Sequence, residues 1–292
     1  MRLGKIKTIV IMSMLAFSTT SFSFEKVIYG EDDRLDVFET TNSLHLDLGR
    51  STAAMISKSK LELNENEYKV IGESLGSRGI CTDARFANQI TSARCSGFLV
   101  GKDLLVTAGH CMTSENDCSS NSWVFDFAVN TPDDEESVNV PTSSVYSCKK
   151  IIAQSLDRYS KDDYALIQLD REVEDREPLT FRTEGTVEAG TNLVVIGHPT
   201  GLPTKIAAGA YVRSNDNDVY FVANLDTFGG NSGSAVFDSE TGLVEGILVR
   251  GERDYEYDFS RGCRIPKQCS NDGCRGEDVT RITNIKELLE NL

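Results

Sequence analysis

The chain has 292 residues and a net charge of −15, and 39% of its residues are hydrophobic. This length suffices for one large all-β domain or two small domains, and the hydrophobic content is that of a globular protein with a proper core. An acidic surface of this kind repels nucleic acid and anionic lipid, so we expect neither as a partner. The charge suits a protein that stays soluble outside the cell.

The first residues have the pattern of a secretory signal peptide. Arg2, Lys5 and Lys7 precede an apolar run at 9–17, and the small residues of SFS follow at 21–23. The rival interpretation is a single buried or membrane-spanning helix. However, the run is about half of the roughly 20 apolar residues that a bilayer requires.

We therefore expect a signal peptide at 1–23, a possible short propeptide at 24–26 and a mature chain from Val27. The first 26 residues contain four basic residues and one acidic residue, so the mature chain has a net charge of −18. Export leads to an oxidising compartment, secreted or periplasmic, in which the eight cysteines form disulfides. We expect no membrane segment in the mature form.

After residue 90 the sequence becomes a series of short β-type runs separated by Gly, Asn, Asp and Pro. Runs such as DLLVTAG, SWVFDFAV, DYALIQL and LVEGILVRG recur without helical segments between them. This regular pattern favours an antiparallel sandwich or barrel over a parallel α/β fold. Residues 31–90 are polar and mixed, and their pattern gives no clear assignment.

The C-terminal segment is the part of the sequence with clear helical spacing. The stretch DVTRITNIKELLENL at 278–292 predicts a helix that packs against the body through four apolar residues on one face. These residues are Ile282, Ile285, Leu288 and Leu289.

Three short motifs contain the residue types that nucleophilic hydrolysis by serine requires. His110 stands in LLVTAGHC, an acid heads the apolar strand of KDDYALIQL, and Ser232 stands among glycines in FGGNSGSAVF. Such hydrolysis needs a base beside the hydroxyl, an acid that orients the base, and backbone N–H groups for the oxyanion. Taken singly, the motifs are also compatible with a structural histidine, an ordinary strand start and a glycine-rich hairpin loop.

Together the three motifs resemble those of the trypsin-like serine peptidases. The family's Thr-Ala-Ala/Gly-His-Cys motif matches 107–111, and its Gly-Asp/Asn-Ser-Gly-Gly/Ser motif matches 230–234. The family's acid heads a strand of the form Asp-x-Ala/Thr-Leu-Ile/Leu, which assigns Asp163 rather than Asp162. The resemblance implies an all-β fold of two six-stranded antiparallel β-barrels with a C-terminal helix, and a site in the cleft between the barrels.

The chain is most similar to the bacterial glutamyl-endopeptidase branch of this family. In that branch the mature chain starts Val-Ile and continues to an Asp-Arg pair, as VIYGEDDR does at 27–34. The stretch LDTFGGNSGSAVF also resembles the serine region of that branch. The resemblance covers residues 92–251, and it implies a peptidase domain at 27–292 with the barrel boundary near 175–190.

The resemblance also implies a role for each motif residue. His110 takes the proton of Ser232, whose oxygen attacks a peptide carbonyl, and Asp163 orients His110. The backbone N–H groups of Gly230 and Ser232 hold the oxyanion.

The same resemblance implies a disulfide between Cys95 and Cys111, which would hold the His110 loop rigid. Closing a loop of about 15 residues stabilises a fold by roughly 3 kcal/mol. The six other cysteines allow 15 pairings. Among these we expect Cys118–Cys148, and we expect Cys81 to reach the C-terminal group of cysteines.

The primary specificity follows from the residues expected around the pocket. Asp226 lies six residues before the serine, at the position that matches the pocket base of the trypsin branch, where an acid favours Lys or Arg. Arg250 and Gly251 lie where the pocket wall is expected, and Arg250 would neutralise Asp226, since a buried carboxylate requires such a partner. We predict cleavage after Lys or Arg. Glutamate specificity is the alternative, although the glutamyl branch usually has Ser or Thr in place of Asp226.

Processing after Lys26 would expose Val27, and an enzyme with basic specificity could make that cut itself, so we expect a zymogen. In trypsins an aspartate pairs with the new amino terminus, and Asn231 replaces it here. Asparagine accepts a hydrogen bond but has no charge, so that ion pair is not the expected mechanism of activation.

We therefore predict a monomeric serine endopeptidase that acts on polypeptides and needs no cofactor. The C-terminal spacings CRIPKQC and CSNDGC lack the Cys-x-x-Cys pairs of a zinc site, so no metal is expected. One alternative is a catalytically inactive relative that only binds a partner, and another is an exported surface protein with coincidental motifs. His198 is predicted to be structural, and His45 is predicted to lie on the surface.

Overall fold

The computed structural model describes residues 27–290, so the predicted signal peptide at 1–23 and the segment at 24–26 lie outside the described residues. Within the described range, no helix is both long and apolar enough to cross a membrane. The helices are α1 (Ser43–Arg50), α2 (Glu115–Ser120) and α3 (Lys286–Glu290). The strands in chain order are β1 (Ile28–Tyr29), β2 (Arg34–Leu35), β3 (Thr52–Ser57), β4 (Leu61–Asn64), β5 (Glu67–Val70), β6 (Glu73–Ser74), β7 (Ile90–Thr91), β8 (Ala93–Leu99), β9 (Leu104–Thr107), β10 (Asn121–Val124), β11 (Asn139–Pro141), β12 (Val145–Leu156), β13 (Asp163–Leu169), β14 (Asn192–Gly197), β15 (Lys205–Ser214), β16 (Tyr220–Ala223), β17 (Ala235–Asp238), β18 (Val244–Arg250), β19 (Tyr255–Asp258), β20 (Cys263–Pro266), β21 (Gln268–Cys269) and β22 (Glu277–Arg281).

The first barrel is a closed ring of six strands in the order β10, β12, β13, β9, β8 and β3. Large apolar side chains such as Trp123 and Phe98 fill its interior and are almost completely buried. Strands β9 and β13 are antiparallel neighbours, with Thr107 opposite Ala165. The end of β9 and the start of β13 therefore meet at one end of the barrel, which brings the histidine motif close to the predicted acid.

The second barrel has six strands in the order β14, β17, β18, β22, β16 and β15, and the pairing of β14 with β15 closes it. The short strand β2 adds to β15. Apolar side chains such as Val195, Phe221 and Val279 form its core. Strand β13 ends at Leu169 and β14 begins at Asn192, so residues 170–191 connect the barrels. The predicted all-β fold of two six-stranded antiparallel barrels is confirmed.

The C-terminal helix is shorter than the predicted helix at 278–292. Residues 278–281 belong to strand β22, because β16 and β18 pair with that strand on its two sides. A 3-10 turn at Ile282–Asn284 then leads into α3, and the side chain of Leu289 lies outside the described residues. The apolar side chains of Ile282, Ile285 and Leu288 are buried against the body, as expected.

The segment without a sequence assignment, residues 31–90, contains α1, barrel strand β3 and strands β4 and β5, which form a small sheet with the later strand β11. His45 lies on α1 and is buried, so its predicted surface position is wrong. The ring packs toward the loop at Ser239, and its Nε2 lies 3.4 Å from the Ser239 carbonyl oxygen.

All eight cysteines lie within the described residues and form four disulfides. The expected pairs Cys95–Cys111 and Cys118–Cys148 are both present. Cys81 does join the C-terminal group, where it bonds to Cys263, 182 residues away. The fourth disulfide joins Cys269 to Cys274.

Candidate active site

His110 lies on a 3-10 turn at Gly109–Cys111, which follows β9 directly. Glycine at 109 has a steric reason, since a Cβ there would lie 1.9 Å from the backbone oxygen of Ser155. Cys111 on the other side of His110 is bonded to Cys95 on β8. The confined neighbours of the histidine thus anchor its loop to two strands of the first barrel.

Asp163 heads β13 and is completely buried beside His110. One carboxylate oxygen, Oδ2, lies 2.9 Å from His110 Nδ1, and the other accepts the backbone N–H of His110 at 3.1 Å. The neighbouring Asp162 instead accepts a hydrogen bond from the amide of Asn284. A carboxylate at Nδ1 favours the tautomer with its proton on that nitrogen, which leaves Nε2 as the basic atom.

Ser232 and His110 line the same cavity, which has a volume of about 310 Å³. The Ser232 loop is attached to the first barrel, because the Ser232 carbonyl accepts a hydrogen bond from Ser96 N–H at 2.8 Å. Gly233 adopts a φ of +90°, and a Cβ there would lie 2.1 Å from the oxygen of Ser96. The turn at the serine therefore requires glycine.

The backbone N–H groups of Gly230 and Ser232 point away from the hydrogen bonds made by the carbonyl groups of the same peptide units. The carbonyl of Gly229 accepts from Thr200 N–H, and the carbonyl of Asn231 accepts from Ser234 N–H. In a trans peptide the C=O and N–H point in opposite directions, so the N–H groups of Gly230 and Ser232 face away from these partners. In the described part of the chain neither N–H donates a hydrogen bond, which leaves both available to an anionic oxygen.

Residues 95–247, more than half of the chain, match the family described as the trypsin-like peptidase domain. The chain belongs to this family. Among curated proteins, none matches this chain.

Solved structures share the fold of this trypsin-like peptidase domain at low sequence identity. A Glu endopeptidase structure is 17% identical with a TM-score of 0.55, and the match covers 91% of this chain and 98% of that one. The VesB protease of Vibrio cholerae is 14% identical with a TM-score of 0.51, at 90% and 67% coverage. Human heparin binding protein is 14% identical with a TM-score of 0.51, at 87% and 94% coverage.

Asp226 of the peptidase domain is buried, and its carboxylate faces the N-terminal segment. It accepts the backbone N–H of Tyr29 at 2.6 Å and that of Asp33 at 2.9 Å. Burial raises the pKa of Asp226 to about 7, although the two hydrogen bonds act in the opposite direction. Asp226 is absent from the lining of the cavity at Ser232. Its described contacts give it a role in holding residues 29–33.

The raised pKa of Asp226 predicts a specific pH dependence of stability. Between pH 4 and 7 the folded chain keeps a proton that the unfolded chain has lost, so stability falls as pH rises. The loss is about 1.4 kcal/mol per pH unit within this window. Asp226→Asn removes this titration, so the stability of wild type relative to the variant should fall from pH 4 to 7 and then stay level. Urea unfolding at several pH values measures it.

The control for this measurement is Asp218→Asn, because Asp218 is exposed. This variant should keep the pH dependence of the wild type. A constant stability difference between wild type and Asp226→Asn across pH 4 to 7 would show that Asp226 does not titrate in this range.

Arg250 is paired with the acid of the histidine site, and the predicted pairing with Asp226 is wrong. Its Nη1 lies 3.6 Å from Asp163 Oδ2, and its Nε–H donates to Asp278 Oδ2 at 3.2 Å. The pairing of β18 with β22 contains a bulge between Leu248 and Arg250. A bulge changes the direction of the next side chain, which is the physical reason that Arg250 faces Asp163. Arg250 thus compensates two carboxylates with little solvent exposure.

The sequence interpretation missed Glu277, a completely buried carboxylate at the start of β22. Thr227 Oγ1–H donates to Glu277 Oε2 at 3.0 Å, and Glu252 N–H donates to Oε1 at 3.2 Å. Gly251 lies directly against this carboxylate, since a Cβ there would come within 1.8 Å of Oε2. In the sequence, Glu277 directly precedes the predicted helix at 278–292, and this position gave no reason to assign the residue to the active site.

His198 and the group of His110, Cys95 and Cys111 were considered as metal ligands. His198 is buried with Nδ1 3.1 Å from the carbonyl oxygen of Leu202, and burial lowers its pKa to about 3. His110, Cys95 and Cys111 lie close enough together to hold a metal ion. However, the two sulfurs are bonded to each other, so neither offers the thiolate that a metal requires.

Proposed function

We propose that the chain is a secreted or periplasmic serine endopeptidase that uses Ser232, His110 and Asp163. The observation that carries this proposal is the pair of contacts between Asp163 and His110, in a cavity that His110 shares with Ser232. Four disulfides support the proposed location, because disulfides persist in oxidising compartments.

The proposed reaction is the two-step hydrolysis of a peptide bond. His110 Nε2 accepts the proton of Ser232 Oγ while this oxygen attacks the peptide carbonyl, and Asp163 stabilises the imidazolium that forms. The N–H groups of Gly230 and Ser232 bind the negative oxygen of the tetrahedral intermediate. His110 then gives the proton to the leaving amine, and water hydrolyses the acyl-enzyme by the same steps.

We propose cleavage after Lys or Arg, with Glu277 rather than Asp226 as the acid that selects the cation. Glu277 contacts Thr227, five residues before the serine, and lies against Gly251, one of the predicted pocket residues. Like Asp226, Glu277 does not line the cavity at Ser232, and its charge already attracts the Arg275 guanidinium. The support for Glu277 is its position beside Thr227 and Gly251, where a buried carboxylate would attract a substrate cation. Arg250 lies at Asp163 and Asp278, so its described contacts do not favour glutamate as the substrate residue.

We also propose that removal of the residues before Val27 belongs to maturation. The Val27 side chain is completely buried, and its carbonyl accepts Thr227 N–H at 3.2 Å. Residues 28–29 pair with β21 as a parallel strand. Asn231 bonds to Ser234, so its described contact differs from the trypsin pattern. Docking of the N-terminal segment would shape the loop before the serine through Thr227 and Asp226.

The test uses the chain from Val27 and its Ser232→Ala variant, each incubated with a mixed peptide library. Cut sites are identified by mass spectrometry. We expect cuts after Lys or Arg that disappear in the variant. Cuts after Glu that disappear in the variant would retain the triad and overturn the proposed specificity. An uncut library with both proteins would favour a catalytically inactive binding protein.

A further inference from the structure

A large cavity adjoins the cavity at the proposed catalytic serine. It has a volume of about 820 Å³, and both cavities are lined by Arg94, Gly229 and Gly230. The two spaces therefore meet at the oxyanion loop. Such a volume is in the range of pockets that bind ligands or several residues of a peptide.

Four cationic side chains line this larger cavity, which we call the basic cavity, although the mature chain has a net charge of −18. Two acids, Glu73 and Asp254, also line it, and Asp254 accepts a hydrogen bond from Gly229 N–H at 2.9 Å. The four cationic residues are Lys60, Arg78, Arg94 and Arg264.

Two of these cations donate hydrogen bonds to backbone carbonyl oxygens rather than to carboxylates. Arg78 donates to the carbonyl oxygen of Thr200 at 2.9 Å, and Arg264 donates to the carbonyl oxygen of Arg78. None of the four cations forms an ion pair within residues 27–290. Burial and the nearby charges of Arg78 and Arg94 lower the pKa of Lys60, while the charge of Glu73 acts in the opposite direction.

The position of the basic cavity relative to His110 indicates which part of a substrate it contacts. In the proposed mechanism His110 protonates the leaving amine, so the residues that follow the cut bond pass His110. His110 and Arg94 line one cavity, and Arg94 also lines the basic cavity. The chain on the carboxyl side of the cut bond therefore enters the basic cavity.

We propose that the basic cavity binds the leaving-group side of the substrate and selects peptides with Asp or Glu after the cut bond. This inference rests on the proposed function, since it assigns the direction of the substrate from the role of His110. An exposed ion pair is worth about a factor of two to five, so contact with more than one cation gives a preference of about tenfold.

The test compares two peptides that are identical up to the cut bond and carry either Asp-Glu or Asn-Gln after it. We expect kcat/KM to be about tenfold higher for the acidic peptide, and this preference to decrease at high salt because exposed charges are screened. The double variant Lys60→Glu, Arg94→Glu should remove or reverse the preference. The control is Lys102→Glu, Lys149→Glu, which changes the net charge equally at exposed residues outside the basic cavity.

Equilibrium binding separates this inference from the proposed function. Fluorescence anisotropy with the Ser232→Ala variant measures affinity for the same two peptides without any cleavage. Tighter binding of the acidic peptide that Lys60→Glu, Arg94→Glu abolishes would support the basic cavity, even if the wild type cut neither peptide. Equal affinity for the two peptides, or a preference that the double variant retains, would overturn it.

Discussion

Asp163→Asn is expected to lower kcat by about 10⁴-fold, the loss typical of this substitution in a serine triad. Asp163 contacts the backbone N–H and Nδ1 of His110 with its two oxygens. Asparagine has nearly the same shape, but it lacks the charge that stabilises the imidazolium, and its NH₂ can select the wrong tautomer. Steady-state kinetics with a peptide cut by the wild type measures this effect, with KM expected to change little.

The neighbouring acid provides a matched control for this substitution. Asp162→Asn changes the adjacent residue, whose described side-chain contact is with Asn284. It should retain kcat within a few fold. An Asp163→Asn variant as active as Asp162→Asn would show that Asp163 does not orient the base.

Glu277→Gln is expected to lower kcat/KM for peptides with Arg before the cut bond by about 100-fold. Loss of one partner from a buried, hydrogen-bonded charge pair costs about 2–5 kcal/mol, which corresponds to a factor of about 30 or more. Glutamine keeps the size of the side chain and an oxygen for Thr227, so the fold should survive. Kinetics with Arg and citrulline peptides measure the effect, because citrulline has a similar shape without the charge.

The competing acid is tested in the same assay with Asp226→Asn. We expect this variant to keep its preference for Arg over citrulline, because Asp226 bonds to Tyr29 and Asp33. If Asp226→Asn lost the preference and Glu277→Gln kept it, Asp226 would be the pocket acid, as its place in the sequence predicted.

The alternating runs predicted only a sandwich or barrel, and the two-barrel fold and the proposed triad followed from the resemblance of three short motifs to one peptidase family. Such motifs are informative because their signals are local. Strand β9 ends at Thr107, shortly before His110, and the pairing of β9 with β13 brings Asp163 to the same end of the barrel. Glycine at 109 and 233 is required by backbone approaches under 3 Å. Short motifs with such steric requirements keep a recognisable residue pattern, which is why the resemblance could identify them.

The surroundings of the triad could not be predicted, because side-chain direction there depends on distant contacts. The bulge before Arg250 turns this side chain to Asp163, and one extra residue in a strand is not visible in the hydrophobic pattern. Asp226 is directed by backbone N–H groups almost 200 residues earlier. Glu277 was missed because the spacing after it predicted a helix, whereas it begins strand β22, where it pairs with Ala223 of β16.

The disulfide between Cys81 and Cys263 makes one wall of the basic cavity dependent on oxidation. Arg78 and Ile80 lie on one side of this bond in the sequence, Arg264 lies on the other, and all three line the cavity. The two stretches are distant along the chain, so the disulfide strongly lowers the conformational entropy of the unfolded chain and favours the state in which they lie together. His110 and Asp163, by contrast, adjoin two neighbouring strands of the first barrel. In a reduced chain, this wall of the basic cavity would lack its covalent link, whereas the contact between His110 and Asp163 does not depend on the Cys81–Cys263 bond. Oxidation of Cys81 and Cys263 would thus affect the proposed substrate choice and not the reacting residues.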